Sequence, residues 1–431
     1  MQIQNLLFIF LTLSQVNCKQ HNSENQVQPK DTTNNALLYY LEHPVFKPVN
    51  MPVSYASPTI AHLIVSDSVT IKAFWDSISK VGTPMIETIK DDPDASIITF
   101  LDRQKKDDLD LTIGFRSIRE DTSFGDMRLR HIPKTDVWYR SYKVPKEITI
   151  AYRFFYTENN VEVRFLDPLN HYYVPTKLRN GADNYNVYHC FLDSTKAWFY
   201  ERPEVPKGSL DTFQVFSKVL NNSHGISVYL PDGYDKTKSY PVMVLFDAVG
   251  YLEVIPTPTI LDNLIYAKQI QPMVAVLVDT RVNRTQELSC YKPFADFIAT
   301  ELMPLMHQKY SITTNPGKSI IAGSSLGGLA SGYIAYNYSN VFGNVLSQAG
   351  SYWLNNGYLI NEYAISPRLS ITYYLDCGLL EGNIYGNRDM YNLLKTKGYK
   401  TYYQEYQGYH DKTWWRKTLS DGLIALCKEM K

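Results

Sequence analysis

The chemistry this chain can offer starts at Gly323-Ser-Ser-Leu-Gly327, fed by Ser319-Ile-Ile-Ala322 and followed by the small helix formers Gly328-Leu-Ala330. The pattern predicts a strand, a tight turn and a helix. A serine that attacks a carbonyl must stand clear of its neighbours, and a strained nucleophile elbow achieves that only where the flanking positions lack bulk. Gly323 and Gly327 supply the clearance, and Ser325 is the candidate nucleophile. At the start of the following helix the backbone N–H of Leu326 has no intrahelical partner and can donate to an oxyanion.

A serine hydroxyl needs a base, and the base needs a group to orient it. In α/β-hydrolases these come in the chain order nucleophile, acid, histidine. His410, within Gln407-Gly-Tyr-His-Asp-Lys-Thr-Trp-Trp415, is the only histidine after Ser325. It lies between the last expected strand and the final helix, and its titration near neutrality suits proton transfer. The favoured acid is Glu381, on the loop after the strand Ile371–Leu375, with Asp376 nearer the strand end and Asp389 farther along as alternatives. A second oxyanion donor is expected from the loop Leu245-Phe-Asp-Ala-Val-Gly-Tyr251, from the backbone of Ala248 or Val249, with Asp247 ordering that loop.

The elements that must position these groups are legible from Thr212 onward. Candidate strands run over Thr212–Val219, Gly225–Leu230, Pro241–Phe246, Met273–Val278, Lys318–Ala322, Val345–Gln348, Ser370–Leu375 and Thr401–Tyr406, alternating with helical stretches such as Phe294–Tyr310. Apolar strands alternating with helices indicate a mostly parallel sheet covered on both faces. Upstream the pattern differs. Ser68–Ile89 reads as a short helix packed through Phe74 and Trp75 and then a loop. Ser96–Leu101, Leu109–Ile118, Val137–Tyr142 and Ile148–Tyr156 carry β-branched and aromatic residues at period two, which suggests an antiparallel sandwich. A stretch rich in proline and turn residues from Leu166 to Gly208 is the expected inter-domain connection.

The chain of 431 residues has room for two or three domains, each with its own core. It holds 43 basic and 43 acidic residues, so no net charge argues for nucleic acid or another polyanion. The 34 tyrosines fit β-rich packing with polar rims. Leu6–Leu13 is an apolar run too short to span a bilayer and reads as a signal peptide over residues 1–18, followed by a polar tether over 19–35. Cys18 is then a candidate lipidation residue, which would anchor the protein to a membrane. Cys190, Cys290, Cys377 and Cys427 show no metal-ligand spacing, while export permits one or two disulfides.

With these residues in hand, the chain resembles the ferric enterobactin (enterochelin) esterase family. The likeness rests on Gly323–Gly328 with Val345–Trp353, on Arg284-Thr-Gln-Glu-Leu-Ser-Cys290 and on His410-Asp-Lys-Thr-Trp-Trp-Arg416. In the N-terminal half it rests on Phe74-Trp-Asp-Ser77, Thr135-Asp-Val-Trp138 and Asp167-Pro-Leu-Asn170. The resemblance implies an immunoglobulin-like β-sandwich over 36–175, a linker over 176–208 and an α/β-hydrolase esterase domain over 209–431. It also implies hydrolysis of the trilactone of a catecholate siderophore through an acyl-enzyme, with iron arriving as part of the substrate and no cofactor. Arg284 and Arg281 would face the anionic ferric complex, and Trp353 and Trp414, with Tyr352, would line the pocket. Export would place iron release in the periplasm or at a membrane surface. The competing readings are an esterase of the same fold acting on feruloyl or acetyl groups of polysaccharide, and a non-catalytic surface protein that binds siderophore or glycan.

Overall fold

The structure, a computed structural model, describes residues 32–106, 109–115, 125–174, 185–189 and 197–430. The expected signal peptide, Cys18, most of the tether, Cys190 and the end of the strand expected over Leu109–Ile118 lie outside them. The C-terminal half is built on an eight-stranded sheet: β1 (Ser209–Ser217), β2 (Asn222–Leu230), β3 (Val242–Phe246), β4 (Val274–Val278), β5 (Ser319–Ser324), β6 (Asn344–Gln348), β7 (Thr372–Gly378) and β8 (Lys400–Tyr406). Their order across the sheet is β1-β2-β4-β3-β5-β6-β7-β8. The first two pairings are antiparallel and those from β4 to β8 are parallel.

Every residue of β3 and β4 is buried, as strands covered on both faces must be. Alternate side chains feed two cores. Val244, Val276, Ile321 and Val345 enter one, while Met243, Ala275, Ile320 and Leu346 enter the other with Leu419, Leu423 and Leu426. The helices that matter to the site are α1 (Ala248–Glu253), α2 (Leu326–Asn337), α3 (Ile384–Thr396) and α4 (Lys412–Lys428). Each comes after the carboxyl end of a parallel strand, where open α/β sheets place their ligands. The expected helix Phe294–Tyr310 is present as Lys292–Asp296, a π-turn Phe297–Leu302 and Met303–Lys309.

The N-terminal half contains two antiparallel sheets of five strands each. Ile98, Phe100 and Tyr142 of one share a core with Ile113, Tyr152 and Phe154 of the other. Three expectations need correction. The helix near Phe74 and Trp75 spans Ser68–Val81, capped by Asp67, but Met85–Ile89 beyond it is a strand rather than a loop. The tether does not extend to residue 35, because Thr32–Glu42 is helical and buries Leu38 and Leu41 against the C-terminal half. The stretch 176–208 is not wholly connection: Tyr185–His189 pairs with Thr149–Tyr152 as a strand of the second sheet.

The two halves meet beside the site. Leu380 and Tyr409, from the loops after β7 and β8, are buried in the core shared by the N-terminal sheets. The backbone N–H of Thr149 donates to the carbonyl of Gln407 at 3.3 Å.

Candidate active site

Ser325 sits between β5 and α2 with φ 59° and ψ −121°. A non-glycine residue held there stores strain that the surrounding structure must sustain. Two things hold it: the Ser325 N–H donates to the Gln348 carbonyl at 2.9 Å, and its own carbonyl accepts from Ser351 N–H at 3.1 Å. Gly323 is required because a Cβ there would lie 2.7 Å from the backbone of Gly327. The strained backbone leaves the serine half-buried at the sheet's carboxyl edge, with the first-turn amides of α2, Leu326 foremost, behind it.

His410 and Glu381 are brought together. Nδ1 of the imidazole donates to Oε2 of Glu381, whose side chain is 3 % exposed. The other carboxylate oxygen, Oε1, accepts from Gly378 N–H at 2.8 Å and from the Tyr406 hydroxyl at 3.5 Å. Those bonds hold the acid in one orientation and fix the proton on Nδ1, so Nε2 carries the lone pair a general base needs. The acid and histidine loops are stitched to each other by Leu380 N–H donating to Gly408 O at 3.1 Å. The ring edge of His410 rests on Trp415, centroids 4.9 Å apart at 89°.

The other acids are elsewhere. Asp376 is fully buried, and burial, opposed by the Thr418 hydroxyl, pushes its carboxyl up to about 8. At neutral pH it is therefore uncharged and unsuited to stabilise an imidazolium. Asp389 is exposed on α3. The serine hydroxyl itself lies 3.4 Å from Ser351 Oγ, and no Ser325–His410 hydrogen bond is made among the described residues. Nucleophile–base contacts are commonly loose before substrate binds.

On the other side of the serine, β3 ends in Asp247, held at φ 59°, and α1 begins at Ala248. The amides of Ala248 and Val249 are thus first-turn N–H groups of a helix, where the sequence pattern predicts a loop. Asp247 orders this corner as expected. Its carboxylate is gripped by Arg284 through Nε and Nη2, both at 2.7 Å, and by Thr280 Oγ1 at 2.7 Å. The Arg284 side chain remains 37 % exposed.

Arg281 is not part of this corner. Its guanidinium forms a bidentate pair with Asp279 and is otherwise solvated. Trp353 does stand in the open: its indole is 56 % exposed and donates to Asn383 Oδ1 at 2.6 Å. Trp414 and Tyr352 do not line a pocket. Trp414 is 6 % exposed and stacked on Tyr406, centroids 4.7 Å apart, and Tyr352 is fully buried with its hydroxyl on Ser347.

Sequence reasoning missed two groups. Tyr251 is fully buried and donates to Gln348 Oε1 at 2.7 Å, while Gln348 Nε2 donates to Trp415 O and Thr418 Oγ1, tying α1, the elbow's neighbouring strand and α4 together. Lys412, at the start of α4, lies so close to α1 that a Cβ on Gly250 would be 2.7 Å from its Cε. Its ammonium is 5.9 Å from the Trp415 ring centroid, which adds a cation on the histidine side. The Lys412 position had a visible signal, a cation two residues past His410; the Tyr251–Gln348 link joins residues too far apart in sequence to have one.

Residues 217–426 match the family model described as putative esterase. The chain is 23 % identical over 427 residues to the iron(III) enterobactin esterase of Dickeya dadantii, covering 86 % of this chain and 96 % of that protein. It is 29 % identical over 238 residues to the iron(III) enterobactin esterase of Escherichia coli, covering 53 % of this chain and 59 % of that one. Among solved structures it resembles the enterobactin esterase of Shigella flexneri crystallised in the presence of enterobactin, with a TM-score of 0.70 at 23 % identity, over 85 % of this chain and 100 % of that one. The ferric enterobactin esterase of Salmonella typhimurium matches with a TM-score of 0.72 at 22 % identity, over 83 % and 99 %.

Proposed function

We propose that this chain belongs with the ferric enterobactin esterases it resembles and is a serine esterase that cuts the backbone ester bonds of a ferric catecholate siderophore of the enterobactin type. The observation that carries the reading is the strained Ser325 elbow at the carboxyl end of β5 together with a bonded His410–Glu381 pair on the loops after β7 and β8. In the reaction, His410 Nε2 takes the Ser325 proton as Oγ attacks the ester carbonyl. Glu381 stabilises the resulting imidazolium. The oxyanion is met by the amide of Leu326 and those of Ala248 or Val249. The tetrahedral intermediate collapses to an acyl-enzyme as His410 returns the proton to the leaving seryl hydroxyl, and water then deacylates by the same route.

A ferric tris-catecholate is anionic and rimmed by aromatic rings. In this reading Arg284, paired with Asp247 but still part-exposed, meets the anionic complex, Lys412 adds a second cation, and Trp353 offers an exposed ring to a catechol. We read the N-terminal sheets as an immunoglobulin-like sandwich that includes the strand Tyr185–His189. The same proposal includes export of the chain by its N-terminal apolar run, with a lipid on Cys18 holding it at a membrane facing the periplasm; loss of fatty-acid labelling in Cys18→Ala tests that part.

The deciding experiment is incubation of purified protein with ferric and iron-free enterobactin, with products identified by mass spectrometry. Linear dihydroxybenzoylserine products, one water gained per bond cut, are expected from the wild type and none from Ser325→Ala. Turnover of feruloylated sugar with no attack on enterobactin would replace the substrate while keeping the chemistry.

A further inference from the structure

The loop 279–287 carries Arg284 to the site, and both of its ends converge on one buried histidine. His224, in β2, has no exposed surface; its Nδ1 lies 3.0 Å from the Asp279 carbonyl, where the loop begins. Its Nε2 lies 3.4 Å from Oε1 of Glu287, 2 % exposed, where the loop's helical turn ends. Asn222 Nδ2 donates to the same Glu287 oxygen at 3.1 Å. The ring is stacked on Phe297, centroids 5.0 Å apart at 24°, and Phe294 closes the other side at 6.0 Å.

The chemistry of the two contacts fixes the protons. A backbone carbonyl can only accept, so Nδ1 carries its hydrogen. An ionised carboxylate can only accept too, so one further proton must lie between Nε2 and Oε1 for the contact to be attractive. A neutral ring and an ionised Glu287 would set a lone pair against a buried charge, which is costly at this depth. The pair therefore holds one shared proton, and the ring spans the loop from first residue to last.

We infer that His224 and Glu287 are positioning residues for the esterase reaction, clamping the 279–287 loop so that Arg284 is held on Asp247 and turned toward an anionic substrate. The clamp acts through the loop alone: neither residue contacts the serine or the acid–histidine pair. The titratable groups facing His224 are Glu287 and Asp279, the latter also paired with Arg281. Burial pulls the histidine down, but the hydrogen bonds and charges of Glu287 and Asp279 outweigh it and hold the ring above its ordinary value of 6.5. A histidine raised in this way contributes its full clamp below pH 6.5 and loses it as pH rises through the elevated value.

The inference rests on the proposed anionic substrate for its kinetic readout but not for its structural one. In His224→Gln and Glu287→Gln, amide hydrogen exchange of residues 279–290 should speed up by about tenfold relative to the wild type at pH 6, with other peptides unchanged. That measurement needs no substrate, so it stands even if enterobactin proves to be the wrong ester. The wild-type loop should lose protection between pH 6 and pH 9 beyond the intrinsic rate change, and the variants should not. In kinetics, KM for the ferric catecholate should rise about tenfold while kcat/KM for a neutral p-nitrophenyl ester stays within about twofold. Unchanged exchange in the loop, or equal losses on both substrates, would overturn the clamp.

Discussion

The two flanks of Ser325 are built by different physics. On the β7–β8 side, the acid and histidine are held by hydrogen bonds and by apolar packing: Glu381 accepts from His410, Gly378 and Tyr406, and the adjoining Leu380 and Tyr409 are sunk into the core of the N-terminal sheets. On the β3–β4 side, Arg284 is held by charge: Asp247 grips it directly, and the His224–Glu287 pair closes the loop behind it. Packing of the first kind is insensitive to pH and salt, whereas ion pairs answer to both. The apolar seating of the acid and histidine loops should therefore hold across salt concentrations, and recognition of an anionic substrate should be the part that varies with salt.

The sharpest cut across this contrast is at the serine between the flanks. Ser325→Ala should lower kcat by at least about 10⁴-fold, with circular dichroism and ferric-siderophore binding retained; loss of folding would make the serine structural. Next, Glu381→Gln should lower kcat about 10³-fold with little change in KM, since it disturbs the histidine's orientation and charge but not the substrate contacts. Equal kcat in the variant would remove the acid from the mechanism.

Arg284→Ala tests the charged flank. KM for the ferric complex should rise by roughly tenfold or more, in line with loss of a charge-assisted contact, while a neutral ester is turned over almost normally. Equal effects on the two substrates would remove that role. Leu380→Ala tests the packed flank: it should cost about 2–4 kcal/mol in denaturant unfolding and reduce kcat several-fold by loosening the acid loop, with KM unmoved. Smallest is Asp376→Asn. Because burial raises this carboxyl to about 8, the wild type loses stability as pH climbs from the ordinary carboxylate range through 8. The amide should flatten that thermal-melting profile and leave kcat within about twofold.

Much of this architecture could be read from the residues themselves. The central strands of the large sheet announce themselves because parallel strands buried on both faces must be continuously apolar, as Val242–Phe246 and Val274–Val278 are. Ser325 comes from the Gly-x-Ser-x-Gly elbow, His410 from chain order, and Glu381 is the favoured of three acids, with Asp376 and Asp389 as open alternatives. What escaped was anything set by a third dimension. Met85–Ile89 and Tyr185–His189 are short, and their pairing partners are remote or adjoin turn-rich sequence, so local pattern favoured loop. Trp414 and Trp415 are neighbours in sequence, yet one helical step decides which ring meets His410 and which meets Tyr406. Arg281 and Arg284 differ by less than a turn, and only the position of Asp279 sends the first to solvent. His224 offered no signal because its partners lie on a loop more than fifty residues downstream.

The burial of Leu380 and Tyr409 among the N-terminal strands bears on how such a protein can be rearranged. A fragment beginning at β1 would keep Ser325, Glu381 and His410, yet strip the apolar cover from the two loops that carry the acid and the histidine. Shuffling the hydrolase half onto another chain, or trimming it by proteolysis, should thus yield something that folds around its sheet and turns over poorly, with the loss concentrated at the histidine.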